Sequence, residues 1–260
     1  MKFKTTNPIL RVLLLFALLA PGACTQHDST EFSVEDYMRS VLAGNDYKEL
    51  VLAAHEIVLS TENHYWALAE AARTDANHLI SAWEPERAFT EADFTLMKNT
   101  LGLEDEAFRQ LVKKIEMLTN RILAEIPEKE KHHTVAVMEE LGKHIFKDVE
   151  VMRVAMRGAE CCPQSPNCAE QFSCMSGVCS EYNRCKSGAS SGGYSLFSGS
   201  ILTGSSLGTI IAPGPGTSFG TALGFSIGVV AGTVYWGYSS SECRRLRDTN
   251  CNFCKTFNPC

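Results

Sequence analysis

The sequence predicts a mainly α-helical protein, with an N-terminal helical bundle followed by a disulfide-rich region that encloses a glycine-zipper helical hairpin. Three observations predict this fold. Residues 33–157 repeat apolar side chains at helical spacing and show no strand-like alternation. Ten of the 11 cysteines lie between Cys161 and Cys260. The 55 residues of segment 187–241 contain no Asp, Glu, Lys, Arg or His, which sets them apart from the bundle and from the cysteine-rich parts.

Residues 1–23 are typical of a signal peptide. Three basic residues precede an apolar run at 12–20 that is too short to span a bilayer comfortably. Cleavage is expected either after Gly22 or directly before Cys24. The Pro-Gly-Ala-Cys run that ends at Cys24 resembles the lipobox of bacterial lipoproteins, with Pro in the place of the usual Leu. We therefore expect a lipid on Cys24 and a polar tether over 24–32, with plain secretion as the alternative.

The cysteine count supports export. Ten clustered cysteines can form five disulfides in an oxidising compartment and leave Cys24 over for lipid attachment. We expect a cysteine-rich knot at 158–186 and a cysteine-rich tail at 242–260. For the pair at 251 and 254 a disulfide is favoured over zinc, because a lone C-x-x-C is a weak zinc signal. The cysteines predicted to form disulfides are Cys161, Cys162, Cys168, Cys174, Cys179, Cys185, Cys243, Cys251, Cys254 and Cys260.

The charge is unevenly distributed along the chain. The net charge is -6, but residues 25–160 carry 15 basic and 26 acidic side chains, a balance of -11, whereas residues 161–260 carry six and four, a balance of +2. An acidic mature chain argues against nucleic acid as a partner.

The bundle at 33–157 is divided by capping and breaking residues. Ser33 and Asp36 resemble the start of a capping box, and the Gly-Asn-Asp run after Ala43 breaks the first helix. Prolines then end two later helices, because the residue before a proline disfavours helical geometry. The predicted helices span 33–43, 47–83, 90–99, 104–126 and 128–157.

The uncharged segment 187–241 is predicted to form a hairpin. A Pro-Gly-Pro-Gly run at 213–216 cannot continue a helix and divides the segment into arms at 194–212 and 217–238. The second arm has the length to cross a hydrocarbon core and ends in aromatic residues suited to a membrane interface.

Small residues occupy every fourth position of the hairpin, which on a helix gives a flat surface that another helix can approach closely. The run from Gly220 to Gly232 resembles the glycine zipper of two-helix membrane modules in small bacterial outer-membrane lipoproteins. The resemblance covers about 45 residues and the signal sequence. It implies a hairpin that embeds in or braces the envelope. The helix-packing positions that it implies are Gly204, Gly208, Gly220, Gly224, Gly228 and Gly232.

The expected partners are a lipid bilayer and further copies of the chain bound through the zipper face. Two other interpretations of the hairpin stay open: a buried hairpin of a soluble fold, in which glycine allows close packing, and a flexible Gly/Ser-rich linker. Glycine is costly in a water-exposed helix, at about 1 kcal/mol per position relative to alanine. The glycines therefore favour a packed hairpin over a free one.

Catalytic and metal motifs are sparse. The pairs Asp75/His78 and Glu130/His133 have the acid-x-x-His spacing of di-iron bundles, but the second lies in a strongly polar run, and surface charge is the favoured interpretation. No G-x-S-x-G, phosphate loop or H-E-x-x-H occurs. The sequence therefore predicts no enzyme activity, no cofactor and no metal.

These observations predict an exported cell-envelope lipoprotein with a membrane-associated glycine-zipper hairpin and a structural or interaction role, favouring the outer membrane. The first alternative is a secreted membrane-inserting toxin or bacteriocin-like effector. The second is a soluble extracellular Cys-rich binding protein.

Overall fold

The computed structural model describes residues 32–82, 95, 98–99, 103, 106–157, 169–211 and 215–257. At 81, 154–157, 169–172, 203–211, 215–221 and 223 it describes the backbone alone. The chain divides into two compact units, Met1–Ser33 and Val34–Cys260, and only Phe32 and Ser33 of the first are described. The signal peptide, Cys24, most of the helix predicted at 90–99 and the cysteines at 161, 162, 168 and 260 lie outside the described residues.

All regular structure in the described residues is helical, which confirms the predicted mainly α fold. The helices are α1 (Val34–Ala43), α2 (Asn45–Ala67), α3 (Glu70–Ser81), α4 (Glu106–Ala124), the 3₁₀ helix η1 (Glu128–His133), α5 (Thr134–Arg157), α6 (Ala169–Ile211) and α7 (Pro215–Phe257). Their boundaries follow the sequence signals closely at Gly44 and Pro127, which are the residues before α2 and η1.

The predicted helix over 47–83 is broken in two. Leu68 and Ala69 have extended backbone, with ψ of 141° and 155°, and the Leu68 N–H bonds to the His64 and Tyr65 carbonyls to close α2. The break redirects α3, where the Arg73 carbonyl accepts a hydrogen bond from the Tyr238 hydroxyl of α7. The spacing of apolar residues continues through this point, so it does not predict the break.

The hairpin helices are longer than the predicted arms. Helices α6 and α7 each contain 43 residues. Residues 169–186, expected in a cysteine-rich knot, belong to α6, and 242–257, expected in a separate tail, belong to α7. The Ser, Asn and Gly content of 169–186 favours irregular structure locally. Disulfides and packing against the antiparallel partner helix override that preference.

The hairpin lies at the centre of the core. Helices α2 and α4 pack against α7, α5 packs mainly against α6, and α6 and α7 pack along each other. Fully buried side chains come from the bundle and from the uncharged segment alike; the largest include Tyr65, Phe108, Phe197, Phe225, Trp236 and Tyr238. Bundle and hairpin therefore share one core within the unit that runs from Val34 to Cys260.

Candidate functional site in the helical hairpin

Two disulfides join the hairpin helices near their open end. Cys174 bonds to Cys254 and Cys185 to Cys243, with Cα–Cα distances of 5.8 and 5.7 Å. The partners are 11 residues apart on each helix (185 − 174 and 254 − 243), which is about three helical turns, so both bonds lie on one face. Cα separations of this size are typical of disulfides. The two helices are thus covalently held in one antiparallel register.

A small apolar cluster surrounds the outer disulfide. Met175 and Val178 of α6 and Cys251 and Cys254 of α7 are buried together. Cys179 and Cys251 each also take part in a disulfide. Six of the ten cysteines predicted to form disulfides are therefore bonded, and the other four, at 161, 162, 168 and 260, lie outside the described residues. This open end of the hairpin therefore has a small core of its own, formed mainly by cysteine and methionine side chains.

Tyr182 links the two helices between the disulfides. The Arg247 guanidinium of α7 lies 4.9 Å from the Tyr182 ring centroid, and the Lys186 ammonium lies 5.5 Å from it. The ring itself is buried. Cations placed over an aromatic face are attracted to its quadrupole, so this contact adds to the covalent register.

Further along the hairpin the two backbones come into contact at glycines. A Cβ on Gly193 would lie 2.5 Å from the Gly232 carbonyl oxygen, and a Cβ on Gly232 would overlap the Gly193 carbonyl oxygen. A Cβ on Gly228 would lie 2.8 Å from the Phe197 carbonyl oxygen. These contacts are tighter than any other residue allows, so α6 and α7 approach each other as closely as glycine permits.

The predicted zipper glycines divide into two groups. Gly228 and Gly232 face α6 within the chain, and Gly224 is buried. Gly204 and Gly208 lie in α6 and Gly220 in α7, where only the backbone is described. The space beside Gly228 and Gly232 is thus filled by the same chain. A second copy that binds through the zipper would have to use the positions nearer the turn.

The bundle also meets the hairpin at glycines. A Cβ on Gly142 of α5 would overlap the Phe197 ring, and a Cβ on Gly237 of α7 would lie 2.8 Å from the Val58 carbonyl oxygen of α2. Gly142, Gly193 and Gly237 are not among the helix-packing positions that the sequence predicts. One signal was present at Gly142, because a glycine inside an amphipathic helix is costly and indicates close packing.

Aromatic rings complete the contact between α5 and the hairpin. The Phe146 ring stacks on Trp236, with centroids 5.9 Å apart, and meets Tyr194 edge to face at 5.9 Å. Phe197 in turn lies edge to face against Phe225, at 5.3 Å. Such pairs contribute beyond the area they bury. The middle of the hairpin is therefore held by the bundle through rings and glycines.

A buried ion pair lies beside these rings. Arg153 of α5 bonds to the Glu62 carboxylate of α2, and both residues are buried, at 5% and 1% exposure. The Arg153 guanidinium also lies 4.9 Å from the Trp236 ring centroid. The pair joins two bundle helices at the surface where they contact the hairpin, and removing one partner would leave an uncompensated buried charge.

A polar cluster joins α7 to the bundle at the end of the uncharged segment. The Tyr65 hydroxyl donates to the Glu242 carboxylate, which also accepts bonds from Arg245 at 3.0 and 2.5 Å. Burial raises the pKa of Glu242, but hydrogen bonds from Arg245 and Tyr65 outweigh it and hold the pKa below its ordinary value. Burial and the bond to Glu242 raise the pKa of Tyr65 to about 12. These contacts between α7 and the bundle thus stabilise the charged form of Glu242.

The remaining histidine candidates are distributed over the bundle. Asp75 and His78 lie in α3, and Glu130 and His133 lie in η1.

Among the helices that the structure describes, none is both long and apolar enough to cross a membrane. Comparison of the chain with protein-family models, characterised proteins and solved structures finds no match.

Proposed function

We propose that this chain is an exported cell-envelope lipoprotein with a structural or interaction role, attached to a membrane through a lipid on Cys24. The observation that carries the proposal is the pair of disulfides that fixes α6 against α7. Disulfides persist in oxidising compartments, so they are consistent with an exported protein. Ten cysteines of the exported part can pair among themselves, and Cys24 is the eleventh.

The disulfide-linked hairpin of α6 and α7 is a long rod, and this suits a structural or interaction role. Each hairpin helix of 43 residues is about 64 Å long, whereas α5, with 24 residues, is about 36 Å long. None of the bundle helices that the structure describes can therefore accompany the hairpin along its whole length. The outer membrane is the membrane we favour, on the resemblance to glycine-zipper lipoproteins.

Metabolic fatty-acid labelling tests the lipid anchor. We expect the wild-type chain to incorporate label and to fractionate with membranes, and Cys24→Ala to lose both properties. Cys24→Ser is the matched control for side-chain size. Label that persists in Cys24→Ala, or wild-type protein recovered wholly in a salt-washed soluble fraction, would contradict the proposal.

A membrane-inserting effector is the second candidate, favoured by how the hairpin is held. Residues 33–157 contain no cysteine, so no disulfide within the chain can join this bundle to the hairpin. In the part of the chain that the structure describes, the bundle holds the uncharged segment by noncovalent contacts, among them rings, glycine contacts and polar groups, while disulfides keep α6 and α7 together. The hairpin could leave the bundle as one disulfide-linked unit and present its uncharged segment, 187–241, to a bilayer.

An engineered lock tests this second candidate. A Cβ on Gly237 would lie 3.0 Å from the Thr61 Cβ, so the double variant Thr61→Cys with Gly237→Cys brings two thiols together across α2 and α7 after a displacement of under about 1 Å. We expect wild-type protein and each single variant to release dye from liposomes, and the oxidised double variant to release none. Absence of release by the wild type at any pH, or release by the locked variant equal to that of the single variants, would overturn the candidate.

A further inference from the structure

The turn between α4 and α5 brings three metal-ligating side chains together. Glu130, His132 and His133 belong to η1, and each offers one ligand atom such that all three atoms lie within 4.8 Å of one another. Among the residues that the structure describes, this is the one group of three or more His, Cys, Asp or Glu side chains that converges in this way. The proposed lipid anchor and hairpin roles make no use of it.

The convergence has a geometric cause. A 3₁₀ helix repeats every three residues, so Glu130 and His133 lie on the same side, and the Nε2 atom of His133 is 3.8 Å from Oε2 of Glu130. Successive residues of such a helix point about 120° apart. His132 nevertheless lies beside His133, with ring centroids 4.0 Å apart. The third donor therefore joins the other two through its side-chain conformation.

The backbone of this turn is fixed by hydrogen bonds at both ends. The Glu130 N–H bonds to the Pro127 carbonyl at 2.8 Å, and the Thr134 hydroxyl donates to the Lys131 carbonyl at 2.6 Å. Thr134 is buried at the start of α5. The three donors thus stand on a backbone that is already ordered, so that ion binding needs side-chain rotation rather than folding of a loop.

Two imidazole nitrogens and one carboxylate oxygen form a donor set that Zn²⁺ takes in proteins, with a fourth position left for water. We propose that Glu130, His132 and His133 form a binding site for a divalent transition-metal ion, with Zn²⁺ as the best fit. Zinc ligands lie about 2.0–2.2 Å from the metal, which places ligand atoms about 3.3–3.6 Å apart in a tetrahedron. The donors therefore need to close by at most about 1.5 Å.

The ion pair between Lys129 and Glu130 is weak. The Lys129 ammonium lies 3.7 Å from Oε1 of Glu130, while Oε2 is the oxygen nearer His133. The Lys129 side chain is 74% exposed, and an exposed ion pair of this kind contributes little. An ion on Oε2 and the imidazoles leaves Oε1 to the lysine. Lys129 and Lys131 add positive charge near the site, which argues for a modest affinity.

Zinc titration of the full exported chain, stripped of metal and without a histidine tag, tests the site. Competition with a chromogenic chelator gives both stoichiometry and dissociation constant. We expect one Zn²⁺ per chain, and affinity lower by about tenfold or more in His133→Ala, His132→Ala and Glu130→Gln. Because the three side chains are not fully buried, these variants should keep the wild-type circular dichroism spectrum.

His144→Ala is the matched control. Its Nε2 lies 3.6 Å from Oε1 of Glu140 on α5, so it forms an acid–histidine pair without a third converging donor. We expect its zinc affinity to stay within about twofold of wild type. Failure of the wild type to bind stoichiometric Zn²⁺, or equal loss of affinity in His144→Ala and His133→Ala, would overturn the site. Neither result depends on whether Cys24 carries a lipid, so failure here is distinguishable from failure of the proposed function.

Discussion

Replacing Gly232 by alanine should loosen the contact between the hairpin helices. The added methyl group would overlap the Gly193 carbonyl oxygen and lie 2.7 Å from the Phe146 Cζ atom. Carbon atoms in favourable contact are about 3.5–4.0 Å apart, so the ring or the helices must move by about 1 Å. The Gly193 oxygen is a backbone atom and cannot rotate away. Relief therefore requires α6 and α7 to separate, and that displaces the rings packed around them.

The packing cost of Gly232→Ala is obtained by comparison with a matched substitution, Gly188→Ala. Overpacking of this kind costs about 1–3 kcal/mol, whereas replacing a helical glycine by alanine gains about 1 kcal/mol in helix propensity. Gly188 lies in the same helix pair, in α6, is exposed, and has nothing within 4 Å of the position that an added methyl group would take. Gly188→Ala therefore receives the propensity gain alone. The difference between the two variants is the packing cost, about 1–3 kcal/mol.

Thermal unfolding followed by circular dichroism, with the disulfides intact, measures this difference. For a chain of this size about 1 kcal/mol corresponds to about 2–4 °C in Tm. We expect Gly188→Ala to melt at or above the wild-type temperature and Gly232→Ala to melt at least about 2 °C below Gly188→Ala. Equal Tm values for the two variants would refute the close approach of the backbones at Gly232.

Two further predictions concern the Cys185–Cys243 disulfide and the polar cluster around Glu242. The double variant Cys185→Ser with Cys243→Ser should lower the free energy of unfolding in urea by about 2–4 kcal/mol. The bond lies inside the loop that Cys174–Cys254 closes, so in the unfolded chain it closes a further loop of about 22 residues, 11 on each helix. An unchanged value would show that the bond adds no stability. For Glu242, whose folded pKa lies below its ordinary value, the unfolded state takes up the proton first as the pH falls, so the stabilisation is present above about pH 4.5 and is lost below it. Glu242→Gln should therefore flatten the decline of Tm between about pH 5 and pH 3, and a decline as steep as in the wild type would contradict that role.

Local signals in the sequence predicted the helical class and several of its boundaries. The spacing of apolar residues is a property of each helix alone, and so are the break at Gly44 and the start after Pro127. The break at Leu68 was missed because apolar residues continue at helical spacing on both sides of it. After the break, α3 contacts Tyr238, which is far away along the chain. Local spacing predicts that a helix face packs, but not which distant segment it packs against.

The structure of the disulfide-rich region also depends on contacts between distant segments, which local sequence signals do not show. Its composition resembles a loop, and the helix over 169–186 forms against α7. One long-range clue was present, because Cys174 and Cys185 have the same 11-residue spacing as Cys243 and Cys254. Equal spacings of about three turns predict two bridges between antiparallel helices. The glycine pattern likewise predicted close packing but not its partner, since Gly193 stands outside the four-residue register of Gly228 and Gly232.

The hairpin is held by two kinds of interaction, one within it and one with the bundle. Between α6 and α7 the disulfides and the contact of Gly193 with Gly232 act together, so loss of either one leaves the other. Between the hairpin and the bundle of residues 33–157 the contacts are noncovalent, through Phe146, Gly237 and the Glu242 cluster. A change at Gly237 should therefore weaken the contact with the bundle and leave the disulfides between α6 and α7 in place. A change at Gly193 should act first on the contact between α6 and α7, and through Trp236 on the rings of the bundle. A rod that braces an envelope needs both sets of contacts, but a hairpin that enters a bilayer needs the first set kept and the second broken.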